Sequence, residues 1–181
     1  MNKTKLIALC GICGAVTVVC LVCLSYVKWV ALVLAVVASV ATCCPQILDG
    51  KYVWYSVAIY FVSVVVSCFL GNLIYLAPVA IFAMPCCIWK LFCQYKGQSN
   101  QKQWNTLRWI GNFVLVNVAL AVTALLAYVF SPSILQGFVE KPYLAYILVV
   151  AFNLAVIAYD KLLAGAIYIV KNALKKSKFG Q

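Results

Sequence analysis

The chain has 181 residues, of which 67% are hydrophobic and 9% are charged, and its net charge at pH 7 is +11. Soluble domains contain roughly one-quarter charged residues, so this composition excludes a soluble globular protein and indicates a membrane protein. The positive charge does not indicate nucleic-acid binding, because no segment offers a soluble basic face with interleaved aromatic residues.

Six apolar stretches are long enough to cross a bilayer. A helix needs about 20 apolar residues to cross a hydrocarbon core about 30 Å thick. In chain order, the stretches between polar breaks are 6–26, 29–48, 52–70, 73–93, 107–130 and 143–170. Each is predicted to be a helix, because lipid cannot pair free backbone groups and the alternating pattern of a barrel is missing. The predicted fold class is all-α, with residues 1–181 forming one membrane domain of six transmembrane helices.

The first stretch has the features of a signal-peptide core as an alternative interpretation, because basic residues precede it. It is too long for a signal core. The small-residue pattern that a peptidase would need, at 38–41, lies inside the second stretch. We therefore predict a first transmembrane helix.

Lysine and arginine are distributed unevenly between the two sides. With the N-terminus in the cytoplasm, eleven of the 14 cations fall on the cytoplasmic side: Lys3, Lys5, Lys51, Lys90, Lys96, Lys102, Arg108, Lys171, Lys175, Lys176 and Lys178. Lys28 and Lys141 fall outside, and Lys161 lies within the last stretch. This positive-inside bias predicts that both termini are cytoplasmic.

The hydrophilic segment 94–105 is predicted to be a cytoplasmic linker, too short for a domain. The outer loops are also short. Any ligand site must therefore be built by the helices and their connections.

Ten cysteines and two C-x-x-C spacings suggest redox or metal chemistry at first sight. Both spacings, Cys10–Cys13 and Cys20–Cys23, lie inside the first stretch, where a thiol behaves as a small hydrophobe. The chain has no histidine, the commonest transition-metal ligand and the usual general base. We predict no metal, no cofactor and no catalytic residue.

Polar side chains within the stretches are expected to face the bundle interior, because an unsatisfied polar group in hydrocarbon is costly. Asn117 and Asn153 lie near mid-depth in the fifth and sixth stretches, and Asn72 with Tyr75 opens the fourth. Asparagine also joins neighbouring helices by hydrogen bonds. Ligand binding and helix packing both remain open for these residues.

Asp160 and Lys161 interrupt the last stretch. An acid costs roughly 3 kcal/mol at the bilayer centre unless it is paired or shallow. We predict that Lys161 extends to the inner headgroups and that Asp160 is anchored to an inner-side lysine or to a partner protein. A proton-relay acid is the alternative.

Two short patterns concern helix packing and family. Gly11 and Ala15 form a small-x-x-x-small pair, which lets another helix approach closely, from within the chain or from a partner. Pro45-Gln46 is similar to the repeat of PQ-loop transporters, but the second half of the chain has no equivalent.

Taken together, the chain resembles the S components of energy-coupling-factor (ECF) transporters, and among them a clostridial branch. The similarity lies in 5–11 at the start of the first stretch, 50–54 at the start of the third, Leu107-Arg108-Trp109 with Asn117, and Asn153-Leu154 followed by Tyr159-Asp160.

The resemblance implies a six-helix subunit that binds a vitamin-like or other small micronutrient near its outer face. It implies docking through Ala8, Gly11 and Ala15 onto a transmembrane coupling subunit, with two ATP-binding cassette subunits supplying the energy. The family's Ala-x-x-x-Ala is Gly-x-x-x-Ala here. The implied substrate-binding positions are Asn72, Tyr75, Asn117, Tyr128, Tyr143, Tyr146 and Asn153.

We therefore expect a multi-pass cell-membrane subunit that captures a solute and is not itself an enzyme. Two alternatives stay open. One is a stand-alone secondary transporter that couples through Asp160, and the other is a quinone-linked thiol oxidoreductase that uses the cysteines.

Overall fold

A computed structural model describes residues 3–97, 100–130 and 142–176, and these are helical apart from short connections. The α-helices are α1 (Lys3–Tyr26), α2 (Ala31–Thr42), α3 (Cys44–Leu48), α4 (Val53–Leu70), α5 (Leu73–Pro78), α6 (Met84–Lys96), α7 (Gln101–Phe130) and α8 (Pro142–Lys176). Short 3₁₀ turns precede α2 and α4, at Lys28–Val30 and Gly50–Tyr52.

Within the described residues, five helical segments are long and apolar enough to cross a membrane: Lys3–Tyr26, Gly50–Leu70, Tyr75–Lys96, Gln101–Phe130 and Tyr143–Leu174. Their outer faces expose large apolar side chains such as Ile7, Phe61 and Leu125. An apolar exterior is what a lipid solvent requires. The prediction of an all-α, multi-pass membrane bundle is confirmed at this level.

The second stretch departs from the single helix predicted over 29–48. It forms the 12-residue helix α2, a turn at Cys43 and the five-residue helix α3. The reason is Pro45, which has no amide hydrogen to donate within a continuing helix and which is instead tolerated in the first turn of a new one.

The fourth stretch is continuous despite two prolines. After Pro78 the chain makes a π-helical turn, Val79–Ala83, and then enters α6, whose first turn contains Pro85. α6 ends at Lys96 and α7 begins at Gln101, so the predicted linker over 94–105 is wrong in extent. Its polar residues continue the two helices beyond the apolar stretches.

α6 lies in the core of the bundle. Met84, Cys86 and Cys87 are fully buried and pack in one cluster with Ala38 of α2 and Leu163 of α8. α1 packs against α2 and α4, and its residues Cys20, Leu21 and Leu24 belong to the same cluster. Small side chains in the core let the helix backbones approach closely, which is how helices gain packing energy in lipid.

Two contacts mark the opposite ends of the bundle. At one end, the Asn72 backbone N–H donates a hydrogen bond to Ser25 Oγ at 3.1 Å. At the other end, Gly50 packs directly against the Tyr95 ring. α4 runs between these contacts, and its 18 residues span about 27 Å. We call the end at Gly50 and Tyr95 the basic end and the other the Ser25 end.

Candidate functional site

A buried ion pair joins α6 to α8. The Lys90 ammonium donates to Asp160 Oδ1 at 2.8 Å and to the Asp160 backbone carbonyl at 2.7 Å. The two side chains are 1% and 9% exposed. Asp160 therefore faces the bundle interior, and its partner is Lys90, one of the cations assigned to the cytoplasmic side.

A second cation approaches the same carboxylate from α7. One Arg108 terminal nitrogen lies 3.7 Å from Asp160 Oδ2, which is longer than a hydrogen bond. The guanidinium also lies over the Trp109 ring, 5.3 Å from its centroid. Arg108 Nε is buried without a hydrogen-bond partner. We call Lys90, Arg108 and Asp160 the ion cluster; with two cations and one anion, its net charge is +1.

The polar contacts continue one helical turn away from the ion cluster. Cys86 precedes Lys90 by four residues on α6, and Asn112 follows Arg108 by four on α7, so each pair shares a helix face. The Cys86 thiol donates to Asn112 Oδ1 at 3.1 Å. Asn112 is fully buried, and its amide nitrogen has no partner. The α6–α7 interface thus carries a polar stripe within apolar surroundings.

Neighbouring hydrogen bonds fix α8 and α3 against the same region. The Tyr159 hydroxyl donates to the Ala83 carbonyl at 3.2 Å and lies 3.0 Å from Ser39 Oγ. Gln46 Nε2 donates to the Ile88 carbonyl at 3.3 Å, while Gln46 Oε1 is buried without a partner. Polar side chains from α2, α3, α6, α7 and α8 therefore lie around or beside the ion cluster.

Charges buried this deeply are costly, because the protein must replace the water that each ion loses. Within a membrane protein they tend to mark substrate or ion pathways rather than simple packing. This makes the ion cluster the strongest functional candidate within the described residues.

Sequence reasoning selected Asp160 but not Lys90, Arg108, Asn112 or Gln46. A signal for Lys90 was present, since it lies inside the fourth apolar stretch and is followed by further apolar residues. Arg108 and Asn112 likewise lie inside the fifth stretch, four residues apart. Lys161 follows Asp160 in the sequence and was predicted to extend to the inner headgroups. It is exposed on the outer face of α8.

Of the seven predicted substrate-binding residues, the structure joins Asn117 and Asn153. Asn117 Nδ2 lies 3.3 Å from Asn153 Oδ1, linking α7 to α8. Asn117 is itself exposed and Asn153 is half-buried, so the expectation that polar residues within the stretches face the interior is wrong for Asn117. Each amide also donates to a carbonyl one turn earlier in its own helix, Phe113 or Val149. This is the interhelical hydrogen bond that the packing interpretation expects.

The remaining five lie toward or on the outer surface. Tyr128, Tyr143 and Tyr146 are more than half exposed, at 68%, 56% and 76%. Asn72 and Tyr75 lie at the start of α5, at the Ser25 end. The role of the seven residues in substrate binding stays a prediction.

The three predicted docking residues share one face of α1. Ala8, Gly11 and Ala15 are exposed, whereas Leu9, Cys13 and the other inward side chains of this helix are buried. A side chain added at Gly11 would have nothing within 4 Å. The face is therefore open to lipid or to another helix.

Two cavities lie toward the basic end, and none of the seven predicted residues lines either of them. The first, about 670 Å³, is an apolar groove between α4, α6 and α7 that includes Trp54, Trp89 and Phe92. The second, about 660 Å³, lies between the end of α6 and the start of α7 and has polar walls. Arg108 lines this second cavity, so the ion cluster adjoins it directly.

All ten cysteines are free thiols, and six of them are buried: Cys13, Cys20, Cys43, Cys86, Cys87 and Cys93. Among the described residues, no three histidine, cysteine, aspartate or glutamate side chains are grouped to hold a metal ion.

No protein-family model, curated protein or solved structure matches this chain. What the fold and the site define is a class: an all-helical, multi-pass membrane protein with a buried, net-positive ion cluster.

Proposed function

We propose that this chain is the solute-capturing subunit of an ATP-driven importer of the ECF type, located in the cell membrane. In this proposal it binds a vitamin-like micronutrient and performs no chemistry. It associates with a transmembrane coupling subunit and two ATP-binding cassette subunits, which supply the energy.

The observation that carries the proposal is the free face of α1. Ala8, Gly11 and Ala15 are small and exposed, so another helix could approach the α1 backbone closely. Gly11 has open space around it, unlike Gly50, Gly97 and Gly111, which pack against neighbouring side chains or backbone. This is the face that the resemblance assigns to docking.

Two contacts support six crossings with both termini in the cytoplasm. Ser25 lies at one end of α4 and Gly50 at the other, so the residues between them traverse the bundle even though α2 alone is short. α7 and α8 run antiparallel, since they touch at Arg108 with Asp160 and at Asn117 with Asn153. These contacts place both helix ends, Lys3 and Lys176, toward the basic end, and the positive-inside bias assigns that end to the cytoplasm.

Association is the direct test. The chain would be co-expressed with a coupling subunit and its two ATPases, and co-purification in mild detergent would be measured. We expect Gly11→Leu to abolish co-purification, because the larger side chain would block close helix approach. Gly165→Leu is the matched control, since Gly165 lies on α8 and also has nothing within 4 Å.

Failure of the unmodified chain to associate would overturn the proposal. Equal loss with Gly11→Leu and Gly165→Leu would also count against the α1 face. The orientation is tested separately, in a cysteine-free variant with single cysteines at Gln98 or Lys176. Both should react with an impermeant thiol reagent only from the cytoplasmic side.

One observation favours a second candidate, a stand-alone secondary transporter. Asp160 lies in the bundle interior against Lys90 and Arg108 rather than at the lipid surface. Intramembrane charges in that position often belong to coupling pathways. Uptake that survives ATP depletion and is lost in Asp160→Asn would support this candidate, whereas uptake that stops with ATP depletion supports the importer.

A further inference from the structure

The polar cavity at the basic end is built mainly by two helix ends. It lies between the last turn of α6 and the first two turns of α7. Its volume, about 660 Å³, is within the range of small-molecule sites. The side chains that matter for ligand chemistry are Gln94, Gln101, Lys102, Trp104, Asn105 and Arg108.

The walls of this cavity are positive. Lys102 and Arg108 both line it, and none of its lining side chains among the described residues is acidic. The first turn of α7 also contains no acidic residue. Since the N-terminal end of a helix carries partial positive charge, the start of α7 adds to the same potential.

Arg108 belongs to the ion cluster and also lines the cavity, and its guanidinium can donate further hydrogen bonds. Asp160 is already hydrogen-bonded to Lys90, whereas the Arg108 contact with Asp160 is 3.7 Å and Arg108 Nε has no partner. The ion cluster has an excess positive charge. An anion in the cavity would balance that charge and give the guanidinium a second partner.

We propose that this cavity binds a phosphate group. A phosphate offers several oxygens and up to two negative charges, which suits two cations together with the amides of Gln94, Gln101 and Asn105. Arginine pairs well with phosphate through parallel hydrogen bonds. Trp104 provides an aromatic wall for the rest of the ligand.

The phosphate has two possible sources, because the cavity lies where α7 passes from its polar first turns into its apolar stretch. It is either the headgroup of an anionic phospholipid or a water-soluble phosphate compound. The chemistry of recognition is the same for both. This inference does not depend on the proposed importer function, and its test does not involve a coupling subunit.

The test uses the purified full chain in two arms. In the first, inorganic pyrophosphate is titrated into protein in a nonionic detergent by calorimetry, with chloride holding the ionic strength constant. In the second, thermal unfolding is compared in nanodiscs of phosphatidylcholine with and without phosphatidylglycerol. We expect binding or stabilisation in at least one arm.

Three variants locate the site. Arg108→Gln and Lys102→Gln should each weaken binding roughly tenfold or more, the effect of losing one charged hydrogen bond. Lys171→Gln is the matched control, because it removes an exposed cation of α8 that does not line the cavity. If Arg108→Gln does not fold, Lys102→Gln carries the test, because Lys102 is exposed.

The outcomes separate clearly. Pyrophosphate binding that Lys102→Gln weakens and Lys171→Gln spares identifies a soluble ligand. Stabilisation only by phosphatidylglycerol, with the same dependence on the variants, identifies a lipid headgroup. No effect in either arm, or equal loss with Lys171→Gln, overturns the inference. Loss of co-purification with a coupling subunit would leave this result unaffected.

Discussion

Two ion pairs with the same separation differ in burial, which allows a controlled prediction. Lys90–Asp160 and Lys51–Asp49 each have a nitrogen-to-oxygen distance of 2.8 Å. The buried pair is 1% and 9% exposed, and the surface pair is 59% and 38% exposed. The Lys51 side-chain hydrogen bond lowers the pKa of Asp49. In each pair, a substitution to asparagine removes a carboxylate that is bonded to a lysine. Asp160→Asn and Asp49→Asn therefore remove the same charge from two environments.

The two substitutions should change the free energy of unfolding by different amounts. Asp160→Asn leaves the Lys90 ammonium and the Arg108 guanidinium in the bundle without a counter-charge. Removing one partner of a buried pair costs about 3–5 kcal/mol of unfolding free energy. Asp49→Asn should produce no measurable change, because exposed pairs are screened by water and salt.

The assay is reversible unfolding in mixed micelles, with the SDS fraction raised stepwise and helix content followed by circular dichroism. The double variant Lys90→Met with Asp160→Asn tests the mechanism, since it also removes the ammonium left unpaired. It should recover much of the loss. Equal losses for Asp160→Asn and Asp49→Asn, or no recovery in the double variant, would refute the reasoning.

Two further predictions concern helix contacts and use the same assay. Gly111→Ala should lower the free energy of unfolding, because the added methyl group would overlap the Trp89 indole, whereas Gly165→Ala meets nothing within 4 Å and should be neutral or stabilising by up to about 1 kcal/mol. A double-mutant cycle of Asn117→Ala and Asn153→Ala should give a coupling near 0.6 kcal/mol, roughly the average for interhelical hydrogen bonds in membranes. Equal stability of the Gly111→Ala and Gly165→Ala variants would contradict the contact of Gly111 with Trp89. A coupling energy of zero would contradict the hydrogen bond between Asn117 and Asn153.

The sequence was sufficient to predict the five long apolar helices, because crossing lipid imposes a minimum length of apolar chain. The sequence was less informative about the second stretch. Hydropathy predicts one helix that continues through Pro45, and only the backbone chemistry of proline indicates that the helix breaks after Thr42. The polar ends of α6 and α7 were missed for a related reason. Hydropathy indicates which residues lie in the hydrocarbon core, but a helix can continue into polar residues beyond it.

The ion cluster required tertiary information. Lys90, Arg108 and Asp160 belong to three helices, and their meeting depends on helix rotation and depth, which apolar stretches do not determine. One local signal was available. Cys86 with Lys90, and Arg108 with Asn112, are each spaced four residues apart within apolar stretches, which places a polar stripe on one face of each helix.

A purely structural role does not explain why this bundle contains the ion cluster. Replacing a buried ion pair by apolar residues of similar volume is often neutral or stabilising, so packing alone would favour leucine or methionine at these positions. The ion cluster also has one cation more than it needs for internal neutrality, and that extra cation, Arg108, faces a cavity. The ion cluster is thus costly within the protein, and its excess positive charge faces a cavity. Both features are consistent with a ligand that supplies the missing negative charge. Lys90→Met with Asp160→Leu should therefore be more stable in the mixed-micelle assay than Asp160→Leu alone, because it leaves only Arg108 without a counter-charge. It should also bind pyrophosphate more weakly by calorimetry, because the site would keep its cavity and lose the carboxylate beside Arg108.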